Sequence, residues 1–202
     1  MYIFAPHQTT MIIKTNKINS RTVIDVLSLY EFSVYFVLFV LFIATNNIYF
    51  VILFLALFSK QIPERILKRF VSHKYNKRPS DAVNCNMINK GGDASRRGGF
   101  PSGHSTVSSF VATYLVFLFI MIKKNNRTDH SMQTKITQLM IFALLFAIIM
   151  PVIRFLNHCH TLPQVLAGFI FGIIFAIGFI FFEQYVLLKW PLYINHRNKI
   201  WK

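Results

Sequence analysis

Two short stretches of the chain carry residue types that could do chemistry together. Pro101-Ser102-Gly103-His104 stands at the head of one apolar run, and Arg154 and His160 bracket the break between two others. The first stretch has the makings of an anion site. A helix that opens there leaves its first amides without intrahelical partners. Those amides and the positive end of the helix dipole favour an anion. Ser102 adds a hydroxyl donor, and Gly103 lets a ligand approach the backbone closely. His104 hangs over the site with a side chain able to give or take a proton near neutral pH. A capped helix with an interfacial histidine is the plainer alternative for this motif alone.

The second stretch holds Arg154, His158, His160 and Gln164, with Pro163 starting the next helix. Gln164 lies one turn beyond His160, so its amide is expected to reach the imidazole. An imidazole held on one nitrogen presents the other as a nucleophile or base, and nearby cations disfavour its charged form. Alone, Arg154 could equally reach up to lipid headgroups while His160 decorates the interface. A third group, Lys68 through Arg78-Pro79, adds further cations. All three groups fall at one side of the membrane if the apolar runs are spans.

Those runs are the elements that must position the site. A spanning helix needs about 20 largely apolar residues. Residues 26–45, 48–69, 102–122, 136–153 and 163–188 supply five, with Asn46-Asn47 as a tight turn between the first two. The rival is one helix over 32–58, which would bury two amides in hydrocarbon at considerable cost. The expectation is an all-α membrane protein, a bundle of about five transmembrane helices. Residues 1–25 form a polar basic N-terminal segment, 26–189 the membrane domain and 190–202 a basic tail. Residues 1–22 lack a compact apolar core ending in a small-residue cleavage site, so the first apolar segment is expected to act as an uncleaved signal.

Composition narrows the class. The 202 residues are 54% hydrophobic and carry 22 Lys+Arg against 7 Asp+Glu, a formal charge of +15. Apolar residues segregated into long runs exclude a soluble nucleic-acid binder, and the high hydrophobicity excludes disorder. No nucleic-acid partner is expected. The site side holds 14 of the 22 basic residues: three at the N-terminus, ten between Lys60 and Arg97, and Arg154. A site for phosphate needs those cations for chemistry, so their number does not orient the chain by the positive-inside rule. Endoplasmic reticulum and plasma membrane both remain open. Cys85 and Cys159 are too few for a disulfide framework, and they would pair only if the site side were lumenal. His158-Cys159-His160 lacks well-spaced ligands elsewhere, so no metal is expected. Gly168-x3-Gly172-x3-Ala176 reads as a close-packing seam, and Asn126-Arg127-Thr128 is a glycosylation sequon on the opposite side.

Taken together, these residues resemble the type 2 phosphatidic acid phosphatase (PAP2) superfamily of membrane lipid phosphatases. Its pattern is Lys-x6-Arg-Pro, Pro-Ser-Gly-His, then Ser-Arg-x5-His-x3-Asp, and the likeness covers about residues 48–180. The resemblance implies a PAP2-like helical core and hydrolysis of a lipid phosphate or diphosphate. It implies that His160 attacks phosphorus and becomes a phosphohistidine, and that His104 protonates the leaving oxygen. Arg78, Arg154, Ser102 and the Gly103 amide would cradle the phosphate, with no metal or other cofactor. The chain departs from the pattern at three places. Ile153 precedes Arg154 where the family has Ser. Position 71 is Val, leaving Lys68 as the candidate lysine and Lys74 as runner-up. Gln164 replaces the orienting Asp, which resembles the dolichyl-diphosphate phosphatase branch and points to a polyprenyl diphosphate. Arg96 and Arg97 would then be candidates for the second phosphate, with a solvated basic loop as the plainer reading.

Two other classes compete. A catalytically inactive PAP2-like protein would bind lipid phosphate without turnover, as the altered lysine spacing and missing Asp suggest. A small anion transporter would show flux insensitive to His160→Ala.

Overall fold

The computed structural model describes residues 30–71, 73–80, 82, 85, 98–125 and 130–200. The N-terminal segment, Arg96, Arg97 and the Asn126 sequon lie outside these, as does the side chain of Lys74. The described residues are helical, with no strand among them. In chain order the helices are α1 (Tyr30–Thr45), α2 (Ile48–Ser59), α3 (Gln61–Phe70), the single turn α4 (His73–Asn76), α5 (Gly103–Asn125), α6 (His130–Leu156), α7 (Leu162–Tyr185) and α8 (Pro191–Ile200). Three stretches, Gly103–Met121, Gln133–Leu156 and Leu162–Lys189, are long and apolar enough to cross a membrane. They point to a membrane-embedded chain. α1 is apolar but only 16 residues long.

The α1–α2 break falls at Asn46-Asn47. Asn46 takes a left-handed backbone (φ 46°), which asparagine tolerates better than most residues. Asn47 then caps α2, its side chain accepting from the Tyr49 amide at 3.0 Å. The expected second helix, 48–69, is instead divided at Lys60 into α2 and α3. The apolar pattern also ends there: α2 is apolar throughout, whereas α3 carries Glu64, Arg65, Lys68 and Arg69.

The core is the packing of α5 against α7 and α6. The small-residue seam of α7 makes the first of these contacts. A Cβ on Gly168 would strike the Ser102 carbonyl, and one on Gly172 would strike Ser109 Oγ and the Thr106 carbonyl. The two backbones therefore touch, which fixes the start of α7 beside the start of α5. At the other end of α7 a buried polar knot holds the bundle. Tyr114 donates to Glu183 Oε2 at 2.7 Å, Tyr193 donates to Glu183 Oε1 at 2.9 Å, and Tyr49 and Tyr114 hydroxyls pair at 2.8 Å. At ~1.5 Å of rise per residue, Glu183 lies roughly 28 Å from Gln164 along the axis. The knot clamps one face of the bundle while the polar clusters gather at the other.

Gly172→Val should lower the thermal unfolding temperature in detergent by several degrees, since overpacking costs about 1–3 kcal/mol. Gly178→Val is the control, because a Cβ there meets nothing within 4 Å. Equal shifts in the two variants would contradict this account of the seam.

Candidate active site

The spacing of Arg154 and His160 is explained by how α6 ends. His158 takes a left-handed backbone (φ 55°) just past the helix. The chain then doubles back, and the Arg154 carbonyl accepts from the amides of both Cys159 (3.1 Å) and His160 (3.3 Å). A helix C-terminus closed in this way brings residues six apart in sequence to the same level. Thr161 begins α7 with a capping box, in which Gln164 Oε1 accepts from the Thr161 amide at 3.1 Å.

His160 is 3% exposed. Its Nδ1 lies 2.9 Å from the Gly99 carbonyl. A carbonyl oxygen can only accept, so Nδ1 carries the proton and the lone pair resides on Nε2. Burial holds the imidazole pKa well below the ordinary histidine value, and the charges of Arg78, Arg154 and His104 push the same way. The result is a neutral, oriented imidazole whose Nε2 carries the lone pair.

Gln164 does not supply that orientation. Its Nε2 donates to the carbonyls of Tyr75 (2.8 Å) and Lys77 (2.9 Å), while its Oε1 serves the capping box. The expected amide–imidazole contact is replaced by the Gly99 carbonyl. The physical reason is that the loop carrying Arg78 needs a donor beneath it, and Gln164 is the buried side chain in reach. Gly99 must be glycine for the same reason, since a Cβ there would sit 2.7 Å from Gln164 Oε1.

The remaining predicted residues fall around this centre. Arg154 is 1% exposed and donates through Nη2 to the Cys85 carbonyl. Its Nε has no hydrogen-bond partner, and no carboxylate of the described residues forms an ion pair with it. Arg78 is buried nearby, and the two like charges act on one another. Burial lowers the Arg78 pKa from its ordinary value, although not enough to discharge a guanidinium near neutrality.

Ser102 is fully buried, and its amide is already committed to the Gln164 carbonyl at 3.0 Å. Its hydroxyl accepts from Ser105 Oγ at 3.1 Å. The helix opens one residue later, at Gly103, so its first helical amide is that of Gly103 rather than Ser102.

Lys68 reaches the site through Glu64, with Nζ 2.6 Å from Glu64 Oε1. The three extra residues between Lys68 and Arg78-Pro79 are absorbed by α4. Its Asn76 donates to the Lys68 carbonyl at 2.8 Å and accepts from the Phe100 amide at 3.1 Å.

Two features go beyond the sequence reading, which raised the cysteine pairing only for a lumenal site side and did not foresee the second. Cys85 and Cys159 form a disulfide that holds Cys85 beside the residue preceding His160 and deprives the His-Cys-His stretch of a thiolate. Glu31, Lys60 and Glu64 form a charge chain at the mouth of α5, with Lys60 and Glu64 buried and Glu31 partly exposed. Lys60 Nζ lies 2.6 Å from Glu31 Oε1 and 3.2 Å from Glu64 Oε2. The signal available was an acid in the first apolar run and the four-residue spacing of Lys60, Glu64 and Lys68.

Below this ring of charge, α1, α2, α5 and α6 enclose an apolar cleft of about 550 Å³, lined among others by Tyr30, Val34, Leu57, Phe110, Leu115 and Phe146.

The PAP2 superfamily model matches residues 47–187, which include every site residue described above except Glu31. The chain belongs to the PAP2 superfamily. No curated protein and no solved structure matches it significantly. PAP2 proteins are generally phosphatases that act on phosphorylated lipids. In this PAP2 chain the sequence-predicted residues His104, Arg154 and His160 are all buried at the ends of the core helices.

If Gln164 is a structural donor, Gln164→Glu should destabilise the PAP2 core. A carboxylate cannot donate to the Tyr75 and Lys77 carbonyls, and losing these part-buried hydrogen bonds costs about 0.5–1.5 kcal/mol each. Hydrogen exchange over residues 73–80 should accelerate while the second half of α7 is unchanged. Unaltered exchange in the loop would contradict the assignment.

Proposed function

We propose that the chain hydrolyses a lipid phosphate or polyprenyl diphosphate, without a metal, by forming and then hydrolysing a phosphohistidine at His160. The observation that carries this reading is the tautomer. Nδ1 donates to Gly99, so the Nε2 lone pair is available beside two buried guanidinium groups. In the first step Nε2 bonds to phosphorus. The P–O bond to the leaving group breaks with its electron pair, and a proton from His104 passes to the leaving oxygen. In the second step water attacks phosphorus, the N–P bond breaks back to Nε2, and His104 takes the water's proton. Arg78, Arg154, Lys68, Ser102 and the Gly103 amide hold the phosphoryl oxygens and stabilise the charge that develops on them. Gln164 acts from behind by holding the loop of Arg78.

The apolar cleft supports a lipid tail among the helices, with its headgroup at the charged mouth. The glutamine at position 164 supports a polyprenyl diphosphate as the substrate. We read the domain as residues 26–189, with five crossings in which α1 and the α2–α3 pair join the three long helices. The near approach of Glu31, Lys60, Gly103 and Arg154 to one level supports that count. The Cys85–Cys159 disulfide supports a site on the oxidising side of the membrane.

The test is phosphate release from detergent-purified protein with EDTA present, with phosphatidate and a polyprenyl diphosphate offered separately. His160→Ala should abolish release, and His104→Ala should reduce it by about 10²–10⁴-fold. Because the His160 pKa lies below its usual value of 6.5, the nucleophilic form persists into more acidic solution. The acid limb of kcat/KM should therefore fall below pH 6.5. Release that survives His160→Ala would refute the mechanism, and lipid binding without release would favour an inactive binding protein.

A further inference from the structure

The proposed chemistry asks His104 to hold a proton near neutral pH while three cationic or ionisable groups, Arg78, Arg154 and His160, crowd the same site. Like charges disfavour an imidazolium, so an acid at His104 needs an opposing charge. One is present in a helix that precedes the family-matched segment. Glu31, in the first turn of α1, places Oε2 4.0 Å from His104 Nδ1. The same carboxylate oxygen would lie 3.2 Å from a Cβ on Gly103, so it sits directly at the head of α5.

The carboxylate is not loosely placed. Its other oxygen is held at 2.6 Å by Lys60, which is itself fully buried and also bonded to Glu64. Glu64 in turn is held by Lys68 at 2.6 Å. The two lysines and two glutamates cancel in charge within this chain. Of these four groups, the one at ion-pair distance from the His104 ring is Glu31. Lys60 thus fixes where the carboxylate stands, and the carboxylate faces one ring nitrogen of His104.

Resting on the phosphohistidine reading, we propose that Glu31 is a positioning residue for the proton donor: it holds the His104 ring by Nδ1 and keeps it cationic, so that the proton needed by the leaving oxygen is in place. Lys60 serves by orienting Glu31. Such a residue matters in proportion to the basicity of the leaving oxygen. An alkoxide cannot depart without a proton, whereas a nitrophenolate can.

The experiment compares wild type with Glu31→Gln on short-chain phosphatidate and on p-nitrophenyl phosphate, across pH. The expected result is a fall in kcat on phosphatidate of about 10-fold or more, because losing one charge neighbour moves an ionisation by about a unit or more. KM should stay within about twofold, and the nitrophenyl rate should be nearly unchanged. The alkaline limb of kcat on phosphatidate should move to lower pH. Glu31→Asp, which keeps the charge, should recover part of the phosphatidate rate, and it carries the same comparison if Glu31→Gln does not fold. Equal losses on both substrates, a change confined to KM, or no change would each overturn the proposal. Wild-type protein that releases no phosphate from phosphatidate would overturn it too. If that protein also spared p-nitrophenyl phosphate and a polyprenyl diphosphate, the phosphatase reading itself would fall.

Discussion

Four hydrogen bonds converge on Gln164, and the site hangs from them. Its carbonyl receives the Ser102 amide, its side-chain oxygen receives the Thr161 amide, and its side-chain nitrogen supports the carbonyls of Tyr75 and Lys77. One buried residue therefore joins the start of α5, the start of α7 and the strip of loop that leads to Arg78. A glutamine suits this junction because it both donates and accepts. An aspartate is shorter and, when ionised, accepts only. The orientation of the imidazole then passes to the Gly99 carbonyl, whose own amide is held by the Asn76 carbonyl at 2.8 Å.

The charges divide into two halves with different logic. Among the described residues, those packed around His160 bring positive charge: Arg78 and Arg154 are buried with a neutral imidazole, and Arg154 keeps one guanidinium nitrogen without a partner. Buried charge of one sign is expensive unless something of the other sign is to be bound. Around His104 the charges alternate, from Glu31 to Lys60 to Glu64 to Lys68, and balance. On the proposed mechanism the first half would keep a lone pair available and the second a proton, which is the division of labour that two-step phosphoryl transfer through histidine requires.

Much of this was legible in the sequence because it was local. The helix starts at Gly103 and Leu162, the turn at Asn46-Asn47, the α7 seam and the Arg154–His160 bracket each depend on residues a few positions apart. The contacts that span the chain were not legible, apart from the Cys85–Cys159 pairing, which stood as a conditional alternative. Gly99 to His160, Cys85 to Cys159 and Glu31 to His104 join residues separated by 61, 74 and 73 positions, and no periodicity encodes them. The role of Gln164 was misjudged for a related reason: helical spacing placed it near His160, but two carbonyls nearly ninety residues earlier in the chain took its donor first. The division of the second helix at Lys60 was visible as a change from apolar to charged residues, yet its meaning emerged only with Glu31 opposite.

The claim at the centre is that Nε2 of His160 bonds to phosphorus. Its most direct test is to quench a turning-over sample carrying radiolabelled phosphate in the substrate, then locate the label after proteolysis. The account predicts an acid-labile, alkali-stable label on the peptide containing His160, absent from His160→Ala. Turnover with no label on that peptide, or with label on another residue, would contradict it.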